Sequence, residues 1–272
     1  MSEQVNPPQI MGILNVTPDS FSDGGCLKDV SAAIQKADIM LAEGADIIDV
    51  GGESTRPGSD PVAAEEQIRR VVPVIHAIRH KHPEVVISID TTLVAVAEAA
   101  LNAGATMIND ISAGTGDVDM LRFVAARNVP LILMHMQGTP KTMQDNPVYD
   151  EVVTEVIQML DRQIKAALAA GIHADKLIID PGIGFGKRKQ DNLELLAHLI
   201  DFVAMGYPVL LGTSRKRFMG SICQVTEPHH LATATAATTA LGVMAGVKMF
   251  RVHDVLANRQ AADLAWAIKQ AQ

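Results

Sequence analysis

The chain has 272 residues, 48% of them hydrophobic, and a formal net charge of −8. That length suits one α/β barrel with a large core, and the acidic balance argues against a general nucleic-acid binder. Cys26 and Cys223 are the two cysteines; they stand far apart in no metal-like spacing, so no disulfide framework is expected and a reducing compartment fits better.

The N-terminal stretch MSEQVNPPQ is polar, unlike a signal peptide. From there, short apolar runs alternate with segments of helical spacing. The runs fall at 10–14, 46–50, 85–89, 106–108, 130–134, 176–179, 208–211 and 248–252. Each is short and ends in a polar residue or glycine, as a strand buried on both faces does. Ile68, Val71, Val72, Ile75 and Ile78 form one apolar stripe after the second run. Val152, Val153, Val156, Ile157, Leu160, Ile164 and Leu168 form another after the fifth. Gly44, Gly104, Gly171, Gly206 and Gly246 each stand where a helix gives way to the next strand, the place of a left-handed cap. The longest uncharged stretch, 231–247, is just short of a bilayer span and rich in Ala and Thr, so it reads as a helix buried in the fold or an interface. The expected setting is cytoplasmic, with neither a membrane nor a nucleic-acid partner.

Eight strands alternating with helices predict an α/β fold, a (β/α)8 TIM barrel forming a single domain over 1–272. A doubly wound open sheet shares the alternation. The count of eight favours the barrel, as does the lack of G-x-G-x-x-G after the first strand. The glycines of 182-GIGFGK-187 have the wrong spacing for that fingerprint and for a Walker loop.

In such a barrel the site lies at the C-terminal strand ends. These are, in order, Asn15; Asp49 with 53-ESTRPG-58; Asp90 and Thr91; Asn109 and Asp110; His135; Asp180; 213-TSRKR-217; and Arg251, His253 and Asp254. Helix N-capping accounts for many single Asp, Ser and Asn residues at such places, but not for His135, Lys216, Arg251 and His253. The cations Arg56, Lys216, Arg251 and His253, with Arg215 and Arg217, fall largely near loops seven and eight, where barrels hold phosphate. In an acidic chain they imply an anionic substrate or leaving group. A solvated basic face is the plainer reading of 214-SRKR-217, but the segment directly follows an apolar strand. The acceptors Asp90, Asn109, Asp110 and Asp180 suit a flat ligand with several N–H donors. With no H-E-x-x-H and no positioned thiolate, the set is suited to orienting an anion and a heterocycle rather than to covalent catalysis.

The segments NVTPDSFSDGG, ESTRPG, SIDTT, MINDIS, DPGIGFGK, TSRKRF and RVHD occur in this order. Together they resemble the dihydropteroate synthase family of the folate pathway, the family blocked by sulfonamides, and the resemblance spans strand one to strand eight. It implies a TIM barrel, usually a homodimer, with Mg2+ as cofactor. It implies condensation of 6-hydroxymethyl-7,8-dihydropterin pyrophosphate with p-aminobenzoate, with pyrophosphate leaving first in a dissociative mechanism. Asp90, Asn109, Asp180 and Lys216 would then hold the pterin, with Met134 packed on it. Asn15, Arg251 and His253 would bind pyrophosphate, with Thr55 and Arg56 on the second loop and Asn15 also near the metal. Phe21, Pro57, Phe185 and Lys216 would line the p-aminobenzoate pocket. Asp90, Asp180 and Lys216 are the residues expected to carry the chemistry. Loops 15–25 and 51–60 are expected to be mobile and to exclude water when closed.

One position departs from the family pattern: many members have Ser where this chain has Arg217, whose backbone N–H or side chain would then meet the p-aminobenzoate carboxylate. Two other classes share part of the pattern. A pterin-dependent methyltransferase would share fold and acceptors but leave S-R-K, R-V-H and the first loop unexplained. An inactive pterin-binding scaffold would be expected to have lost charged site residues, and none of the matched ones is lost. Away from the site, the 187-KRK-189 run reads as a solvated helix start, and His76, His80 and His82 read as solvated.

Overall fold

The computed structural model describes residues 6–17 and 27–272, with side chains of 27–29 excepted. The eight apolar runs become eight parallel strands. These are β1 (Gln9–Asn15), β2 (Ile47–Gly51), β3 (Val86–Asp90), β4 (Met107–Asp110), β5 (Leu131–Met134), β6 (Leu177–Asp180), β7 (Leu210–Leu211) and β8 (Met249–Val252). Strands adjacent in sequence are adjacent in the sheet, β1 pairs with β8, and a bridge from Ile179 to Val209 joins β6 to β7. The sheet thus closes into a barrel. β7 is the shortest strand because Pro208 has no N–H to give the ladder; its carbonyl accepts from Ile179 N at 2.9 Å.

Helices fill the connections: α1 (Leu27–Ala42), α2 (Ala64–Lys81), α3 (Val94–Ala103), α4 (Met120–Arg127) and α5 (Val152–Ala169), then α6 (Lys189–Ala197), α7 (Leu199–Val203), α8 (Arg217–Cys223), α9 (Ala232–Ala245) and α10 (Val255–Gln270). The stripe of α2 is buried as Val71, Val74, Ile75 and Ile78, with Ile68 and Val72 at its edge. The predicted stripe of α5 runs one residue too far: Leu168 is 40% exposed and Ala167 is buried instead. Each step of four residues turns the face by about 40°. Repeated steps carry Leu168 off the stripe, and the three-residue step from Ile164 to Ala167 brings it back. All five helix-closing glycines have positive φ, between 84° and 116°. The 231–247 stretch forms α9, which packs on α10. Among the described residues, no helix is long and apolar enough to cross a membrane.

Alternation along the strands separates two compartments. Outward residues such as Ile10, Ile48, Ile87, Ile108, Ile179 and Phe250 join the main core beneath the helices. Inward residues Met11, Ile47, Met107, Ile132, Ile178, Leu210 and Met249 form a second cluster inside the barrel, with Val86 packed against it. Two residues further along the strands the inward position turns polar: Asp49, Ser88, Asn109, Asp180 and Arg251. The apolar plug therefore carries a polar floor at the C-terminal end.

Phe250 links the barrel to α9. It is 1% exposed, and a Cβ built on Gly242 would stand 2.7 Å from its ring. Phe250→Ala is expected to cost about 3–5 kcal/mol through the cavity it opens, measured by denaturant unfolding. A loss below about 1 kcal/mol would contradict this packing.

Candidate active site

Arg251 occupies the centre of the polar floor. Its Nε donates to Asp49 Oδ2 at 2.6 Å and its Nη2 to Asp90 Oδ2 at 2.6 Å. Asn109 Nδ2 donates to the same Asp49 oxygen at 3.3 Å. Asp49 is fully buried, so three strands meet through one carboxylate. Burial opposes the Arg251 cation, yet Asp49 and Asp90 outweigh it and hold the guanidinium pKa above its usual value. Asp90 moves the other way from a surface carboxyl. Burial pushes it up to about 7, against the pull of Arg251 and with the help of Asp49. One guanidinium shared by two buried carboxylates leaves the second of them easy to protonate. Asp49 Oδ1 and Ser88 Oγ, on register-paired strands, are buried with no hydrogen-bond partner among the described residues.

Asp180 stands across the floor, its Oδ1 accepting from Gly182 N at 2.7 Å. Burial raises it to about 6, opposed by that bond and by Lys216. Lys216 is half-buried, and desolvation pushes it down to about 8, with Arg251 adding to the effect. Its Nζ lies 4.0 Å from the centre of the Phe185 ring, a cation–π distance. Phe185 packs with Ile111, Met134 and Met143 as an apolar wall. Two glycines on the inward face leave room between these groups. A Cβ on Gly51 would stand 3.6 Å from Asn15 Oδ1 and 3.8 Å from Asp90 Oδ2, and one on Gly212 would stand 3.7 Å from Asp180 Oδ2. The space is bounded by carboxylates, an amide and an apolar wall, and it suits a flat ring with N–H donors.

The rim offers N–H donors. The His253 backbone N–H donates to Ser214 Oγ at 3.0 Å, which leaves the hydroxyl proton for His253 Nδ1 at 2.9 Å. In that tautomer Nε2 carries the ring proton and can donate to an anion. Burial, then Arg215 and Arg251, push the His253 pKa down to about 3, so the ring is a neutral donor. Thr55 is partly buried, while Arg56 and Pro57 are exposed on the second loop. That loop is tied down at both ends. Glu53 accepts from Val62 N at 2.7 Å and Gln67 Nε2 at 3.2 Å. Gly58 N reaches Pro140 O at 2.9 Å, and Lys141 pairs with Asp60 at 2.7 Å.

The structure thus gathers Asn15, Asp90, Asn109, Met134, Asp180, Phe185, Lys216, Arg251 and His253 at one mouth. Phe21 and most of the first loop lie outside the described residues. Arg217 is exposed at the start of α8. Several sequence expectations change. Arg215 is committed to Asp254, with contacts of 2.9 and 2.5 Å. Asp110 accepts from Ser112 N, Ser112 Oγ and Gly114 N, so it builds its own loop rather than receiving a ligand. His135 is turned away from the mouth and buried against Lys187. Lys187 itself is 2% exposed, not solvated; Arg188 and Lys189 are the exposed part of that run. His76 and His80 are exposed, while His82 is half-buried with Nε2 2.7 Å from Asp38. Asp49 was visible as a polar strand end but not as the partner of Arg251. Its one sequence signal is a charge on the inward register of β2.

Residues 11–253 match the family model described as pterin binding enzyme. The chain is 42% identical over 259 residues to the dihydropteroate synthase of Synechocystis sp., covering 95% of this chain and 89% of that one. It belongs to the dihydropteroate synthase family. Two solved members of that family agree with it in fold. The Yersinia pestis dihydropteroate synthase, solved with a sulfonamide drug complex, superposes with a TM-score of 0.92 at 41% identity, over 99% of this chain and 97% of that one. The Xanthomonas albilineans enzyme in complex with 7,8-dihydropteroate gives 0.87 at 41% identity, over 99% and 96%. Family membership makes this chain a transferase.

The raised Asp90 pKa carries a signed prediction. Its stabilising contribution is fully present below the unfolded value of 3.8 and is lost as pH rises through about 7. Wild type should therefore lose stability relative to Asp90→Asn between those two values, followed by denaturant unfolding of the ligand-free proteins. A difference that stays flat or moves in favour of wild type would contradict the assignment.

Proposed function

We propose that this protein condenses 6-hydroxymethyl-7,8-dihydropterin pyrophosphate with p-aminobenzoate, giving 7,8-dihydropteroate and pyrophosphate. The observation that carries the reading is the floor itself. Asp90, Asn109 and Asp180 bring acceptors to one floor beside Arg251, and the neutral His253 ring stands at the rim as a donor. Asp90, Asn109, Asp180 and Lys216 hold the pterin, and Met134 packs against its face. The Nη1 of Arg251, which neither aspartate occupies, and the Nε2–H of His253 meet the pyrophosphate, with Thr55 and Arg56 reaching in from the second loop. Phe185, Pro57 and Lys216 form the p-aminobenzoate side, with Phe21 from the first loop, and Arg217 receives the carboxylate.

The reaction is dissociative. The bond between the pterin methylene and the pyrophosphate oxygen breaks, and the electron pair leaves with pyrophosphate. The cation left on the pterin is stabilised by the carboxylates of Asp90 and Asp180. The aniline nitrogen then forms the new C–N bond and releases its proton. A buried floor favours this route, because charge stabilisation is stronger where water is excluded. When bound, Mg2+ neutralises charge on the leaving group. Asn15 Oδ1, at the mouth beside Asp90, is the protein oxygen that would hold it. Mg2+ commonly keeps waters and substrate phosphates as its other ligands.

A homodimer and a cytoplasmic setting belong to the same reading. The support for the dimer is the outer face of the adjoining α9 and α10, which exposes Leu241, Leu264 and Ile268.

Purified protein incubated with both substrates and Mg2+ should release dihydropteroate and pyrophosphate in equal amounts, and a chelator should stop it. Asp90→Asn and Lys216→Ala should each lower kcat by at least about 100-fold while circular dichroism still reports a folded barrel. Folded wild type that forms no product would overturn the proposal, and full activity in either variant would overturn the site assignment.

A further inference from the structure

Lys187 takes no part in the chemistry above, yet it is 2% exposed and, among the described residues, its ammonium meets no carboxylate. Its partners are neutral. It donates to the carbonyls of Gly182 at 2.9 Å and Phe185 at 3.0 Å, and stands 2.9 Å from His135 Nδ1. A longer contact reaches His135 O at 3.4 Å. Three protons on an ammonium match the three short contacts. The same contacts make His135 Nδ1 an acceptor, and burial keeps that ring neutral by pushing its pKa down to about 3. Burying a cation among neutral acceptors is costly, and a methionine would fill the space without that cost. Burial accordingly pushes the Lys187 pKa down to about 7, and what the side chain does there is hold the three groups around it.

What it holds is a turn with little stiffness of its own. Gly182, Gly184 and Gly186 all have positive φ, at 67°, 82° and 62°, and glycine loses more freedom on ordering than any other residue. The conformation is tightly enclosed: a Cβ on Gly182 would stand 1.8 Å from His135 O. The outer edge is fixed by Tyr149 Oη donating to Gly186 O at 2.7 Å, Gln144 Nε2 to Gly184 O at 2.9 Å, and Gly184 N to Asn192 Oδ1 at 2.6 Å. Lys187 crosses the inside, tying both Gly182 and Phe185 to the end of β5. The opposite face of this turn presents the Phe185 ring to Lys216.

We infer that Lys187 is a positioning residue for the p-aminobenzoate side of the site: its ammonium fixes the turn that sets the Phe185 ring beside Lys216. The inference rests on the functional reading above. The Asp49, Arg251 and Asn109 part of the pterin floor is held through other bonds; the clamped turn touches that floor at one point, where Gly182 N donates to Asp180 Oδ1 at 2.7 Å.

The test compares wild type, Lys187→Met and His135→Ala. Each is assayed with both substrates varied, and amide hydrogen exchange is followed across 182–186 in the ligand-free proteins. Lys187→Met should raise the KM for p-aminobenzoate by at least about tenfold and that for the pterin substrate by a factor at least about threefold smaller, since Gly182 also holds Asp180. Exchange across 182–186 should quicken. His135→Ala should move both readouts the same way by a smaller factor, and it decides the matter if Lys187→Met fails to fold. An unchanged KM for p-aminobenzoate, or both KM values rising by the same factor, overturns the inference. If wild type itself forms no dihydropteroate, the functional reading fails separately. Exchange then judges the clamp alone, and unchanged exchange at 182–186 overturns it.

Discussion

One cation between two carboxylates sets the character of this barrel. Arg251 is 202 residues from Asp49 and 161 from Asp90 along the chain, yet bonds both at 2.6 Å. Closure of the sheet through β1 and β8 brings them together. Desolvating three charged groups is expensive unless geometry and hydrogen bonding repay it. Here the geometry supplies a separate guanidinium nitrogen for each carboxylate and an amide from Asn109 for the shared oxygen. Removing the cation would leave two buried carboxyls facing each other, with protonation the least costly response. The polar floor and the closure of the barrel are thus one problem with one solution.

The rest of the site is arranged around that floor. The apolar plug from Met11 to Met249 sets its depth. Gly51 and Gly212 leave the space above it. Lys216, Phe185 and the clamped turn at 182–186 form one side wall. Ser214 orients His253 on the other, and Arg215, locked to Asp254, holds that segment in place. The second loop is anchored through Glu53 and through its contacts with Pro140 and Lys141, so its exposed tip, with Arg56 and Pro57, extends from a fixed base.

Much of this was legible in the sequence because strand periodicity is a local signal. Eight runs of apolar residues ending in polar ones predict the barrel, and the strand ends then point to Asp90, Asn109, Asp180, Lys216 and Arg251 without any knowledge of their contacts. What was not legible depends on neighbours distant in the chain. Asp49 reads as one more acid until Arg251 is folded against it. Lys187 sits in a basic run that resembles a solvated helix start, and its burial follows from three carbonyl and imidazole acceptors that converge only in the folded turn. Asp110 and Asp90 look alike in sequence; the difference is that Ser112 and Gly114 fold back onto Asp110. His135 follows β5, one register step past the inward Met134, and so it turns outward.

The central claim is that the Asp49–Arg251–Asp90 clasp is the floor on which the pterin binds. Calorimetric titration of 6-hydroxymethyl-7,8-dihydropterin pyrophosphate into wild type and Asp49→Asn, without p-aminobenzoate, tests it most directly, since Asp49 is fully buried and acts through Arg251 and Asn109. The account predicts binding to wild type and an affinity at least about tenfold weaker in the folded variant, the scale of one charge-assisted hydrogen bond. Equal affinity in the two proteins would contradict it.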